Sequence, residues 1–144
     1  MILSHEYKFV CLNPPKTGSG FRERTLINYS DVCIITHKIS GLRHWSSTQA
    51  SNYIKSINKD PNDYYWFTFV RNPWERIISW INMKKNRALK EGSRDESTIE
   101  SLIVGHLNES QLFKNYLNRD GKLLDFVGSI ENITEDLNFV FYGI

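Results

Sequence analysis

The sequence has little cysteine, little methionine, few prolines and no long apolar run. Its two cysteines, Cys11 and Cys33, are too few for a disulfide framework and match no metal-binding spacing. Each reads as a buried, reduced thiol in an apolar strand, which suits a reducing compartment. No stretch approaches the ~20 apolar residues that cross a bilayer, and the N-terminus has no secretory apolar segment. A soluble, cytoplasmic protein of bacterial or viral origin, with no membrane partner, is the expectation. Excess charge of one sign is also missing. Lys and Arg number 18 against 16 Asp and Glu, a net charge of +2 with no basic stripe, which argues against a nucleic-acid partner. There is no internal repeat and no low-complexity tract. What remains, 40% hydrophobic and 24% charged over 144 residues, fits a single globular domain spanning 1–144.

The apolar patterns alternate in type along the chain. Tyr7 to Leu12 reads as a strand stopped by Pro14-Pro15, and Phe21 to Tyr29 as a helix with Phe21, Arg24-Thr25 and Asn28 on one face. Val32 to Thr36 reads as a second short strand. Ser46 or Ser47 can cap a helix carrying Ala50, Tyr53, Ile54 and Ile57. Trp66 to Val70 has the continuous apolar character of a strand buried on both faces. Pro73 opens a helix whose stripe is Trp74, Ile77, Ile78 and Ile81. Lys84 to Ser97 reads as an exposed loop, and Ile99, Leu102, Ile103 and Leu107 as a further helix. Leu123 to Val127 is strand-like, and a capping box at Asn132 and Glu135 opens a last helix with Ile133, Leu137, Val140 and Phe141 inward. Strands separated by helices predict an α/β fold, a three-layer P-loop-like domain with a central parallel sheet.

The densest signal is Pro15-Lys16-Thr17-Gly18-Ser19-Gly20 between a strand and a helix, followed by Phe21 and Arg22. Glycines let backbone N–H groups approach an anion, and the helix start adds partial positive charge. Lys16 supplies a point charge, and Thr17 and Ser19 supply hydroxyls. A phosphate-transferring P-loop needs its Lys after the last glycine, so Lys16 excludes that motif. Glu23 fills the position of the third glycine of a dinucleotide fingerprint and excludes that one.

A second basic site follows the Phe67 to Val70 segment. Arg71 stands at the carboxyl end of that strand, where open α/β sheets bind ligands, and can fork onto a phosphate. Ser79, about two helical turns on, can reach the same anion. Two anion sites at neighbouring strand ends suit a ligand with two phosphate groups.

Together these segments resemble the carbohydrate sulfotransferases that use 3′-phosphoadenosine-5′-phosphosulfate (PAPS), including the heparan sulfate 2-O-sulfotransferases. Pro15 to Gly20 is similar to their 5′-phosphosulfate loop, and Val70-Arg71-Asn72-Pro73-Trp74-Glu75-Arg76 with Ser79 to their 3′-phosphate motif. Asp125 to Asn132 resembles a later segment of the family. The resemblance runs from about residue 7 to 144 and is weaker at 84–107. It implies a PAPS-dependent sulfotransferase, with PAP as product and a hydroxylated acceptor of carbohydrate class. It implies Lys16 at the bridging region of the phosphosulfate, and Arg71 and Ser79 on the 3′-phosphate. The family usually has hydroxyl residues where Gly20 and Phe21 stand, and an Arg and an aromatic where Ser129 and Ile130 stand. Its members usually continue past the Glu131 segment, so a form shortened at the C-terminus is expected.

Transfer to a hydroxyl needs a base, and His is suited to that task near neutral pH. His5 reads as surface and His106 as the core or boundary of a helix. His37 and His44 flank the loop after the second strand. In the family the base precedes a helix opening with Ser/Thr and Ala. His44 before Ser46-Ser47-Thr48-Gln49-Ala50 fits that placement better than His37, with Glu131 or another carboxylate behind both. Arg22 and Arg43 are candidates for binding an anion, and Trp45 for stacking on a ring. No cluster has metal-ligand spacing, so no metal is expected. A non-catalytic nucleotide-binding module and a small P-loop kinase stay open as alternatives, and oligomeric state is not encoded in any feature of the chain.

Overall fold

The computed structural model describes residues 1–32, 44–92, 98, 100–101, 103–105 and 114–143. Two short strands open the chain, β1 (Ile2–Ser4) and β2 (Phe9–Leu12). Only four residues join them, too few for a crossover, so they pair antiparallel with Leu3 opposite Val10. Lys8 turns the chain at φ 53°. Next come α1 (Ser19–Leu26), one 3₁₀ turn (Ile27–Tyr29), and α2 (Ser47–Ser56). Strand β3 (Tyr65–Val70) lies parallel to β2, with Val10 opposite Trp66. Helix α3 (Pro73–Lys90) follows, then α4 (Lys114–Leu117), a two-residue-strand hairpin of β4 (Asn118–Arg119) and β5 (Lys122–Leu123), β6 (Phe126–Ser129) and α5 (Ile133–Gly143). The main sheet has the order β1-β2-β3-β6, mostly parallel with an antiparallel edge.

Strand residues alternate between two apolar clusters. Val10, Leu12 and Trp66 pack with Ala50 and Ile54 of α2 and Tyr116 of α4. Phe9, Cys11, Phe67 and Phe69 pack with Leu26 of α1 and with Leu137 and Val140 of α5. Full burial of one such side chain contributes about 1.5–3 kcal/mol, so the central strands β2 and β3 anchor the domain. Gly128 is where β6 passes closest to its neighbours. A Cβ there would meet Phe69 at 2.7 Å and Asp136 at 2.9 Å, so only glycine fits.

Several expectations change. Helix α1 turns Arg22, Glu23 and Leu26 inward, and Phe21 is half-exposed. Helix α3 buries Arg76, Ile77 and Trp80, leaving Trp74 74% and Ile78 58% exposed. The same helix runs on to Lys90 through the charged stretch expected to be a loop, because Lys84 to Lys90 contains good helix formers and no Gly or Pro. The expected strand at Leu123 to Val127 begins later, at Phe126. Asp125 instead uses its carboxylate to accept the Trp66 N–H at 2.6 Å. The last helix is entered through a 3₁₀ turn (Ile130–Asn132) capped by Ser129, rather than through Asn132. Ser46 does form a capping box with Gln49. Val32 pairs with Leu3 as an isolated bridge. Residues 33–36, with Cys33, lie outside the described residues, as do His37, Arg43, His106 and, from the expected helix, Ile99, Leu102 and Leu107; residues 100–101 and 103–105 of that segment are helical. No described helix is long and apolar enough to cross a membrane.

Candidate active site

Strand β2 delivers the chain to a loop in which Lys16 has φ 65° and Gly18 φ 74°. Left-handed residues alternating with ordinary ones turn successive N–H groups to one side, a concavity suited to an anion. Gly18 is the N-cap of α1 and supplies no side-chain cap, so the first-turn N–H groups of Ser19 and Gly20 have no intrahelical acceptor. Lysine at positive φ costs on the order of 1–2 kcal/mol. Such strain is typical of residues whose exact direction matters for function.

The loop is supported from inside. The Thr17 hydroxyl donates to Pro14 O at 2.8 Å and accepts from Arg22 Nη2 at 3.1 Å. Arg22 Nη1 donates to Thr17 O, and Nε donates to Asn13 Oδ1 at 3.1 Å. The Arg22 guanidinium lies 5.0 Å from the Phe69 ring centroid. Arg76, buried on α3, donates from Nε to Pro15 O at 3.2 Å. Arg22 is 0% exposed. Its expected role as an anion ligand does not fit, because its donors point at the loop from below. Thr17 offers an anion only its backbone, since its hydroxyl is spent inside. The Phe21 N–H is taken by Gly18 O at 3.1 Å.

Strand β3 delivers Arg71 to the same side. Arg71 pairs with Glu75 at 3.2 Å across one helical turn. Asn72 caps α3 by accepting the Trp74 N–H at 3.0 Å and the Glu75 N–H at 3.4 Å. Its own N–H donates to Glu131 Oε1 at 2.8 Å, and the Ser129 hydroxyl donates to Glu131 Oε2. Those bonds, the one from Asn72 foremost, hold the Glu131 carboxyl below its ordinary value, which makes it a weak base. Glu131 is a clamp between the ends of β6 and β3.

Lys16, Arg71 and Ser79 line one cleft together with Pro15, Gly18, Ser19, Gly20 and His44, and its volume is about 550 Å³. An adjoining cleft of about 850 Å³, also lined by Lys16, Arg71 and Ser79, continues along α3 past Asn82 and Asn86. Burial first, and the like charge of Arg71 second, hold the Lys16 ammonium below its ordinary value. The two cations therefore stand close enough to repel each other, an arrangement that a bound anion relieves.

His44 sits just before the Ser46 cap. Its Nδ1 lies 2.8 Å from Asn13 O. A carbonyl only accepts, so in the neutral ring Nδ1 carries the proton and Nε2 the lone pair. The His44 carbonyl accepts from Tyr116 OH at 2.6 Å, which fixes the backbone. Trp45 packs against Tyr53, 5.6 Å between ring centroids. His5 bonds Tyr64 OH through Nδ1 at 2.7 Å in the β1–β2 turn.

A model of the sulfotransferase family matches residues 1–136. This chain belongs to the sulfotransferase family. No curated protein and no solved structure matches it. Membership makes this sulfotransferase-family chain a transferase and assigns sulfonate transfer as its chemistry. Asn13, Arg76 and the clamping role of Glu131 were not read from sequence. The available signals were a polar residue ending a buried strand and a cation on the inward stripe of α3.

Proposed function

We propose that this sulfotransferase moves a sulfonate group from PAPS to a hydroxyl acceptor of carbohydrate class by in-line displacement. The observation that carries the reading is the single cleft shared by the Lys16–Gly20 loop, Arg71, Ser79 and His44. The N–H groups of the loop and the Lys16 ammonium suit a 5′-phosphosulfate, and the Arg71 guanidinium with the Ser79 hydroxyl suits a 3′-phosphate. PAPS, when bound, supplies the activated sulfonate. The residues do the rest. Lys16 offsets charge developing on the leaving phosphate oxygen. His44 Nε2 accepts the proton of the acceptor hydroxyl, and Asn13 O holds the ring in the tautomer this needs. The two core clusters on opposite faces of the mostly parallel sheet support a P-loop-like three-layer arrangement.

The test is transfer of labelled sulfonate from PAPS to a panel of sugar and non-sugar alcohols. Transfer lost in His44→Ala and Lys16→Ala supports the reading. Tight PAP binding with no transfer to any acceptor would favour a non-catalytic binding module. Hydrolysis of ATP with Mg²⁺ and no response to PAPS would favour a kinase.

A further inference from the structure

We infer that Arg22 is a positioning residue for the donor site, holding the anion-binding loop in its bound geometry from beneath and linking it to the base. The inference rests on the donor site proposed above. Three of its nitrogens bond the loop segment: Nε to Asn13 Oδ1, Nη1 to Thr17 O and Nη2 to Thr17 Oγ1. A Cβ at Gly18 would stand 3.9 Å from Nη1, so the guanidinium lies directly under the left-handed turn. The residue that takes the Nε bond, Asn13, also accepts the His44 Nδ1–H through its carbonyl. Its amide nitrogen donates to the buried Glu23 carboxylate at 3.5 Å. One asparagine thus connects the support of the loop to the support of the base.

A purely structural role is a poor explanation for this arrangement. Desolvating a guanidinium offsets most of what its bonds return, and apolar side chains of similar volume often serve a core equally well. What an apolar side chain cannot do is fix the carbonyl and hydroxyl of Thr17 at once. Those two contacts set the direction of the peptide between two residues whose φ angles are positive, Lys16 and Gly18.

Calorimetric titration with PAP and with inorganic sulfate, below the melting temperature of each variant, tests the inference. Arg22→Lys keeps the charge and loses the fork. It is expected to raise both dissociation constants at least tenfold. Ile54→Val, on the buried face of α2 and away from the loop, is the control. It is expected to lower the melting temperature and leave both constants alone. If Arg22→Lys does not fold, Thr17→Val removes the hydroxyl that Nη2 reaches and carries the same expectation. Folded Arg22→Lys that binds both ligands like the wild type overturns the inference and leaves the donor reading standing. Wild type that binds sulfate but not PAP overturns the donor reading, and the sulfate constants then decide the role of Arg22. Wild type that binds neither overturns both.

Discussion

The loop at Lys16 and the turn at Arg71 face one cleft, yet their props differ in kind. Beneath the loop lie Arg22, Thr17 and Arg76, all buried, with direct bonds to loop carbonyls. Beside the turn stand two exposed carboxylates, Glu75 and Glu131, reaching Arg71 and the Asn72 N–H from the solvent side. Buried polar bonds are costly to leave unmade, so they lock a geometry. Exposed pairs are screened and contribute little to stability, so they adjust a geometry without fixing it. The half of the site expected to meet the reacting group is the locked half.

The largest effect should come from removing each arginine in turn. Arg22→Ala strands buried acceptors and should cost about 3–5 kcal/mol in urea unfolding. Arg71→Ala should cost less than about 1 kcal/mol. Equal losses would erase the contrast. Next, Lys16→Ala should lower the transfer rate on the order of 10²–10³-fold at saturating donor, as loss of a charge-stabilising group does. A change confined to KM would move Lys16 from the reacting bond to simple binding.

The clamp at Glu131 gives a smaller, pH-dependent effect. Its carboxyl lies below the ordinary value in the folded state, with the Asn72 N–H as first cause. The folded state therefore gains stability above the unfolded pKa and loses it as pH falls through the ordinary carboxylate range and below. Acid unfolding of Glu131→Gln should show a shallower loss of stability across that window than the wild type. An unchanged slope would mean the clamp does not act through its charge. The smallest effect is expected from Glu75→Gln. It should alter stability by no more than about 0.5 kcal/mol, while freeing Arg71 and tightening PAP a few-fold in direct titration. Weaker PAP binding would show that Glu75 aims Arg71 instead of competing for it.

Much of this was legible in the sequence where local chemistry decides the outcome. Pro15 to Gly20 after an apolar run announced a turn with donors, and the Ser46-Ser47 pair announced the start of α2, where Ser46 proves to be the cap. Arg71 at the end of β3 was read from the apolar run before it, and the two anion motifs were placed at neighbouring strand ends, where Lys16 and Arg71 share a cleft. What escaped was set by distant partners. Arg22 reads as an anion ligand until the loop it supports is seen to cover it. The inward stripe of α3 includes Arg76 because Pro15 O waits there, a contact between residues 61 apart in sequence. Strand β1 and the β4–β5 hairpin have two or three residues each, too few for a period to show. Asp120-Gly121, with both φ values positive, was the available hairpin signal.

The left-handed backbone at Lys16 has a practical corollary for anyone evolving this protein toward heat tolerance. Glycine adopts that conformation without penalty, so Lys16→Gly is expected to raise the melting temperature while stripping out the ammonium group. A selection for thermal robustness alone would drift toward a sturdier chain that lacks this ammonium group. Retaining lysine at this position would need turnover to be scored in every round.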